Sequence, residues 1–357
     1  MNIEDITIPA PKLESQPWQI GSLIFNEVKE NGIVLLFCND YRGSDKTSIK
    51  NNFLEVRKEF YSLSKLDFEF PICDLGDLIS GKTLQDTHYI LEEILSMCFY
   101  KNALPILIGG GNDLAFSLVS SLHFHQKNIK YTQINNKIEL SDEGKEISEK
   151  NFLNKILSSK TLNLKEYHHL GYQQHLNELD SVKLMKEVEY DVVRLAEMMG
   201  STEKTEPYFR RADLVTVNCD AVESFGEEFS VHPQINGLNR REICAYMKEI
   251  GLSENLKAVG IFNYNSEAKN GVNHQLLAQM IWYLMEGINI QKSHPKERKF
   301  ETFWVMIEDQ DFAFKRDLFS GLWYFGDDEN IENCLPCSRE DFDLAKKGKL
   351  TERLMRF

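Results

Sequence analysis

The chain has 357 residues, 42% of them hydrophobic, so it can bury the core of one large α/β domain or of two smaller ones. Its net charge of −14 disfavours binding to nucleic acid or to anionic membranes, because both require clustered Lys and Arg. No apolar run reaches the roughly 18 residues of a membrane span, and residues 1–16 do not resemble a signal peptide. Together with seven scattered cysteines, these features predict a cytoplasmic protein with free thiols.

Apolar segments of strand length alternate with segments of helical periodicity along most of the chain. This alternation predicts a parallel sheet covered by helices. The predicted strands are 32–38, 68–75, 104–109, 129–135, 165–173, 213–220 and 256–264. The predicted helices include 83–102, 112–124, 241–251 and 273–288.

The pattern changes near Gln291. FETFWVMIE and GLWYFG are predicted as strands, and the last twenty residues as a terminal helix. We therefore divide the chain into an α/β domain, 1–290, and a C-terminal appendage packed on it, 291–357. The polar segments 141–151 and 200–207 are predicted as mobile loops.

Ligands of open α/β sheets bind at the carboxyl ends of the strands. Three strand-end segments, 109–113, 135–139 and 218–223, are therefore expected to converge on one crevice. The middle segment carries Asn135, Lys137 and Glu139, which is an unusual set for a strand end that would otherwise suit a metal.

Several strand-end motifs, taken in order, resemble the ureohydrolase family of arginase, agmatinase and formimidoylglutamase. They are LPILIGGGNDLAF, INNKIEL, VNCDAVES, INGLNRREI and ICDLGD, and they cover most of residues 30–290. The tail, with FWVMIE and CLPCSREDFDLAKKGKLTERL, is similar to a formimidoylglutamase-like branch. The resemblance implies a three-layer α/β/α arginase-like fold. In active members, two manganese ions activate a hydroxide that attacks a guanidinium or formimino carbon.

The family's metal ligands are two histidines and four aspartates, and this chain departs from them. The resemblance places the six ligands on Asn112, Asn135, Lys137, Glu139, Asn218 and Asp220, of which Asp220 alone is unchanged. The family's closing Asp-Pro becomes Glu223 and Ser224, and the glutamate that grips a cationic substrate falls near the apolar Ile261.

Clustered carboxylates require cations, and here asparagines and a lysine replace most of them. Our hypothesis is that Lys137 pairs with Asp220, with Glu139 and Glu223 as further partners, and takes over the role of the metal charge. We therefore predict no metal cofactor. The alternative is one weakly bound Mg²⁺, Mn²⁺ or Ca²⁺ on the carboxylates and an Asn oxygen, which Lys137 opposes.

Three functions follow from this interpretation. The first is a degenerate ureohydrolase, a pseudoenzyme that binds a small ligand or a protein partner through the crevice or the aromatic surface of the appendage. The second is an active C–N hydrolase of the formimidoylglutamase or arginase type, with Mn²⁺ in a reorganised site. The third is a structural subunit of a larger assembly. Family members commonly form trimers or hexamers, so a homo-oligomer is also expected.

The glycines at 109–111 lie at a strand-to-helix turn, where backbone N–H groups can bind an anion. Gly110, Gly111 and Asn112 are the candidate residues for an anion or phosphate ligand. The alternative is a tight turn in which Asn112 or Asp113 caps the helix.

Four other features have both functional and structural interpretations. Cys334 and Cys337 form a C-x-x-C that lacks a second pair for zinc, which favours packing. His168 and His169 point to opposite faces of a strand, so with nearby His175 they favour structural roles over a shared metal. Cys219 could be a nucleophile, but strand alternation favours a core thiol. The aromatic stripe of the appendage fits a core or an oligomer contact.

Overall fold

A computed structural model of the protein describes residues 3–44, 53–224 and 226–357. The strands of its larger sheet are β1 (Thr7–Ile8), β2 (Ile24–Phe25), β3 (Ile33–Cys38), β4 (Ile72–Leu78), β5 (Leu104–Gly109), β6 (Ile129–Ile134), β7 (Leu164–Tyr172), β8 (Asp191–Arg194), β9 (Leu214–Asn218) and β10 (Ala258–Phe262). The helices that accompany them are α1 (Leu54–Ser62), α2 (Leu84–Tyr100), α3 (Ala115–His125), α4 (Phe152–Leu157), α5 (Leu179–Glu187), α6 (Leu195–Met198), α7 (Arg240–Gly251) and α8 (Gly271–Lys292).

The sheet has ten strands in the order β1-β4-β3-β5-β10-β9-β6-β7-β8, with β2 paired to β4. All of its pairings are parallel except that of β1 with β4. The predicted mainly parallel sheet is therefore confirmed.

Helices cover both faces of this sheet. Along β3, Leu35 and Phe37 belong to one hydrophobic cluster, which includes residues of α1, α7 and α8. Val34 and Leu36 belong to the other cluster, which includes residues of α2, α3 and α4. Since neighbouring strand residues point to opposite faces, this alternation builds the three layers of the predicted α/β/α fold.

Each of the seven predicted strands overlaps an observed one, and the main error is at β4. This strand begins at Ile72 rather than at residue 68 and continues through the whole ICDLGD motif to Leu78. Within the motif, Asp74 and Asp77 are buried and accept hydrogen bonds from the buried Arg57 guanidinium, at 2.8 and 2.9 Å. The motif is therefore part of the structural core.

The tail forms a second sheet, which is antiparallel. Its strands are β11 (Phe300–Ile307), β12 (Gln310–Asp317), β13 (Trp323–Phe325) and β14 (Leu335–Cys337), paired in that order. The predicted terminal helix is instead two short helices, α9 (Arg339–Ala345) and α10 (Glu352–Met355). Gly348, at φ +77°, lies in the turn that separates them. In the part of the chain that the structure describes, no helix is long and apolar enough to cross a membrane.

Two arginines of the α/β part bind the tail. Arg211 is buried and donates to the backbone carbonyls of Ile331 (2.7 Å), Glu332 (2.9 Å) and Cys334 (2.8 Å). The neighbouring Arg210 donates to the carbonyl of Cys337 at 3.2 Å. Because these carbonyls are withdrawn from water, the guanidinium groups supply hydrogen bonds that solvent cannot.

Candidate functional site

The strand-end segments predicted to form a crevice do lie together. Strands β5, β10, β9 and β6 are neighbours in the sheet, so their carboxyl ends share one edge. The backbone N–H of Asn263, just after β10, donates to the carbonyl of Gly110 at 2.8 Å. The side chain of Asn136 donates to the carbonyl of Asp220, also at 2.8 Å. A third bond, from the Asn263 side chain to Asp220 Oδ2 at 2.8 Å, joins these two links, so the segment after β10 connects the three predicted segments.

Asp220 is buried at the centre of this strand-end site. Its Oδ1 accepts a hydrogen bond from the backbone N–H of His232 (3.2 Å), and its Oδ2 accepts one from the Asn263 amide (2.8 Å). Burial raises the pKa of the carboxyl, and these donors only partly offset that effect. Both carboxylate oxygens are therefore occupied by N–H groups of the protein.

The predicted ion pair between Lys137 and Asp220 is wrong. Among the residues that the structure describes, Lys137 forms no ion pair, and Asp220 is held by N–H donors instead. Lys137 is half-buried and lines a cleft beside the site. Glu223 is also half-buried and forms no ion pair in the described chain, so it does not act as the alternative partner. A long, flexible ammonium side chain loses less hydration at the edge of a cleft than in a buried pair.

Glu149 is a principal residue of the site that the sequence did not reveal. It lies within the segment 141–151, which was predicted as a mobile loop, yet its side chain is buried. Its Oε1 lies 3.1 Å from His232 Nε2, and its backbone N–H donates to the carbonyl of Gly43 at 3.0 Å. Burial raises its pKa, but the hydrogen bond and charge of His232 outweigh burial, so the pKa is lowered overall.

Asn263 bridges the two buried carboxylates. Its Nδ2 donates to Asp220 Oδ2 at 2.8 Å and to Glu149 Oε2 at 3.2 Å. Its Oδ1 accepts from the Ser44 hydroxyl at 3.0 Å, which fixes the orientation of the amide. The backbone of Asn263 has φ +57°, a conformation that asparagine tolerates better than most residues. An asparagine directly after an apolar strand was the one available sequence signal for this residue.

Ile261 was expected near the position of the family's substrate-gripping glutamate. It is fully buried in the hydrophobic core and pairs with Ile108 and Val217 of the neighbouring strands. The polar side chain at the end of this strand is therefore that of Asn263, two residues later.

Glu139 lies between the buried network and the cleft. Burial, with the nearby charge of Glu149, raises its pKa to about 7, while the charge of Lys137 acts in the opposite direction. The cleft has a volume of about 610 Å³. It is lined by Lys137, Ile138, Glu139, Leu140, Ser141, Asp142, Glu143, Lys150, Leu176, Asn177, Glu178 and Ser181.

The glycine turn after β5 has the expected left-handed backbone, with φ +84° at Gly109 and +73° at Gly110. The predicted cap is wrong, because a short 3-10 helix begins at Asn112 and neither Asn112 nor Asp113 caps it through its side chain. The N–H of Gly111 is already donated to a backbone carbonyl, that of Asp40 (2.9 Å). Anion binding at Gly110, Gly111 and Asn112 stays a prediction.

Asn112 and Asp113 are both fully buried behind this turn. The Asn112 amide has no hydrogen-bond partner on either polar atom within the described chain. The Asp113 carboxylate lies 3.2 Å from His88 Nε2, and burial raises its pKa.

The other asparagines at the ligand positions that the resemblance implies bond locally. Asn218 Oδ1 accepts from the backbone N–H of Asp220 (2.9 Å), and Asn135 Oδ1 accepts from that of Lys137 (3.4 Å). A divalent cation requires several oxygens, most of them anionic, that are free to coordinate. Across the described ranges, no group of three or more His, Cys, Asp or Glu side chains is arranged to hold a metal ion. The residues present do not fit the two manganese ions implied by the family resemblance.

The remaining candidates take part in packing and in local bonds. His168 Nδ1 lies 3.0 Å from Asp191 Oδ2, whereas His169 Nε2 contacts the carbonyl of Asn135 (3.1 Å). The two side chains thus bind different partners, while His175 lies in a separate short 3-10 helix after β7. The thiols of Cys219, Cys334 and Cys337 are buried and unpaired with each other.

The mostly parallel sheet between two helical layers, with polar residues at the strand ends, defines an arginase-like α/β protein. The chain belongs to the arginase family, because residues 46–286 match the model of that family. A search against curated proteins gave no significant match.

Solved structures share this fold at low sequence identity. Formiminoglutamase from Trypanosoma cruzi, in an oxidized form at pH 4.6, has 15% identity and a TM-score of 0.67, over 76% of this chain and 98% of that one. Formimidoylglutamase from Bacillus subtilis has 13% identity and a TM-score of 0.65, over 76% and 92%. Agmatine ureohydrolase from Thermoplasma volcanium has 13% identity and a TM-score of 0.61, over 78% and 97%. At these identities the likeness concerns the fold.

Proposed function

We propose that this protein is a member of the arginase family without ureohydrolase activity, and that its strand-end site serves to bind a ligand. One observation carries the proposal: the Asn263 amide bridges Asp220 and Glu149, at 2.8 and 3.2 Å. A neutral donor thus satisfies the buried carboxylates, and a metal ion would have to displace it. Without two divalent ions, the site has no means of generating the hydroxide that ureohydrolases use.

The cleft next to the bridged carboxylates is the proposed binding place. Its volume of about 610 Å³ is within the range of small-molecule sites. Two lysines, Lys137 and Lys150, line it together with several carboxylates, among them Glu139 and Glu178. Mixed charges of this kind suit a small polar ligand that carries both an anionic and a cationic group.

Metal content and turnover test the loss of activity. The purified protein is incubated with Mn²⁺, desalted and analysed for manganese, and then assayed with formiminoglutamate, arginine and agmatine. We expect far fewer than two metal equivalents and no release of formamide or urea. Formimidoylglutamase from Bacillus subtilis, treated in parallel, serves as the positive control. Manganese-dependent product release would support the alternative function, an active C–N hydrolase, and refute the proposal.

Calorimetry tests the binding role, with formiminoglutamate as the probe because it carries both kinds of charge. We expect saturable binding without turnover, weakened at least tenfold by Lys137→Met, because an ammonium facing the ligand contributes about 1.4 kcal/mol or more. Lys160→Met, at an exposed lysine outside the cleft, is the matched control. Undiminished affinity in Lys137→Met would show that the probe binds elsewhere.

A further inference from the structure

Strand β11 forms one edge of the tail sheet, since β12 is its one paired strand in the described chain. It is eight residues long and contains a single charged residue, Glu301, and no proline. Its register with β12 is continuous from Phe300 to Ile307, without a bulge. A long, regular edge with a single charge presents a row of backbone groups that another strand can pair with.

The other sheet edges in the described chain are protected. Strand β14 has three residues, and one of them is Pro336. In the larger sheet, β1 has two residues, and β8 has four with charged residues at both ends, Asp191 and Arg194. Short length, proline and charge are the usual means by which proteins prevent edge-to-edge pairing. Strand β11 is long and has no proline, and Glu301 is its single charged residue.

The backbone groups that face outward from β11 can be assigned. Glu308 and Asp309, at φ +50° and +64°, form a two-residue hairpin turn to β12. The N–H of Leu318 donates to the carbonyl of Lys299 at 2.9 Å, so the groups of residue 299 point toward β12. Backbone direction alternates along an antiparallel strand, so the groups of residues 302, 304 and 306 point away from β12, toward the free edge.

The side chains along the outer face of this edge are also exposed. Trp304 is 60% exposed and Met306 is 70% exposed, although both lie in a regular strand. Exposed aromatic and methionine side chains are enriched in protein interfaces.

The charges flanking β11 select the orientation of a partner strand. Lys296 and Lys299 precede the strand, with the acid Glu297 and the half-buried Arg298 between them, whereas Glu308, Asp309 and Asp311 follow it. Three of the four charges before the strand are thus basic, and all three after it are acidic. A second β11 placed antiparallel would bring the basic end of each strand to the acidic end of the other. A two-fold arrangement is self-complementary in both its hydrogen bonds and its charges.

We propose that β11 is a homodimerisation edge, on which a second copy of this chain pairs antiparallel about a two-fold axis at Trp304. In this register Lys299 lies opposite Asp309 of the other copy, and Thr302 lies opposite Met306. The two tail sheets then form one eight-stranded sheet.

Light scattering after size exclusion, with the full chain at tens of micromolar, tests the proposal. The expected mass is twice the 41.4 kDa of one chain. The double substitution Trp304→Lys and Met306→Lys should weaken the association at least tenfold, because it adds like charges on both sides of the axis. Phe124→Lys, at another exposed apolar residue (78% exposed), should leave the association unchanged. A monomeric wild type, or an unchanged mass for the double variant, would overturn the proposal.

Cross-linking provides a second test, which does not require the lysine variants to fold. Because the native thiols are buried, a cysteine introduced at an exposed position is the one that oxidation reaches first. Trp304→Cys should form a disulfide-linked dimer rapidly under mild oxidation, since directly opposed strand residues lie within disulfide distance. Phe124→Cys should cross-link at the slow rate of random collision. Equal rates for the two variants would contradict the proposed axis.

Discussion

Replacing Asn263 by glycine tests the central feature of the site, the amide that bridges two buried carboxylates. The substitution removes both donors to Asp220 and Glu149 and also the acceptor of the Ser44 hydroxyl. Glycine is chosen over alanine because the backbone has φ +57°. At that angle the Cβ of an alanine would lower the stability of the fold by about 1–2 kcal/mol, and this strain would add to the measured effect.

The expected loss of stability follows from the bonds removed. A hydrogen bond to a charged group contributes about 1.5–3 kcal/mol, and a neutral one about 1 kcal/mol. Two bonds to carboxylates and one to a hydroxyl would sum to about 4–7 kcal/mol if nothing relaxed. Water can enter the vacated space and replace part of this, so we expect Asn263→Gly to lower the free energy of unfolding by about 3–5 kcal/mol.

Urea unfolding at pH 7, followed by circular dichroism, measures this loss. Asn102→Gly is the matched control, because Asn102 also has positive φ (+50°) but lies exposed at the surface. Its effect should stay below about 1 kcal/mol. If Asn263→Gly costs no more than this control, the amide does not hold the carboxylates, and the main observation behind the proposed function fails.

Three further perturbations test other parts of the structure. Asn263→Asp places a third carboxylate at the site, so millimolar Mn²⁺ should raise the melting temperature of this variant by several degrees and leave the wild type unchanged; equal responses would contradict the assigned site. Although burial raises the pKa of Asp191, the hydrogen bond from His168 dominates and holds it at about 2, below its ordinary 3.8. Because the folded-state pKa is the lower one, this interaction stabilises the protein by about 2 kcal/mol above pH 4 and loses that effect as the pH falls toward 2. In Asp191→Asn the pH dependence of unfolding in this window should be correspondingly shallower. Arg211→Met removes the donors to the carbonyls of residues 331, 332 and 334. We expect it to lower the free energy of unfolding by about 3 kcal/mol. The control Arg241→Met, at an exposed arginine, should change this free energy by less than about 0.5 kcal/mol.

The main sheet was predictable because its strands are buried on both faces. A strand such as β3, whose six residues are all buried, reads as a continuous apolar run, and such runs are strong signals. Strands with other patterns were missed. β12 mixes charged with apolar residues, and β8 is only four residues long. The terminal helix was predicted too long, because apolar periodicity continues across the turn at Gly348 and a single glycine is a weak signal within it.

The location of the site was predicted, but its hydrogen-bond network was not. Location follows from topology, since the carboxyl ends of neighbouring parallel strands meet at one edge. The hydrogen-bond network joins residues that are far apart in sequence. Glu149 and Asn263 are separated by 114 positions, and Asp220 and Asn263 by 43. Glu149 stands in a charged, loop-like segment, where a glutamate that turns inward has no distinguishing pattern. Resemblance to the family implies positions for its metal ligands, but it carries no information on residues outside its motifs, such as Glu149 and Asn263.

Several groups, rather than one lysine, balance the buried carboxylates of the site. Burying carboxylates requires donors or protons close to each of them. Glu149 is paired with the His232 imidazole and Asp220 with N–H dipoles, while burial raises the pKa of Glu139 to about 7. The charge of Lys137 acts on this network from the cleft, without an ion pair. Since the amide of Asn263 is held by both carboxylates at once, adding ligands at the positions that the family resemblance implies would not by itself free them. Building a metal pair here would require new carboxylates and the removal of this amide together.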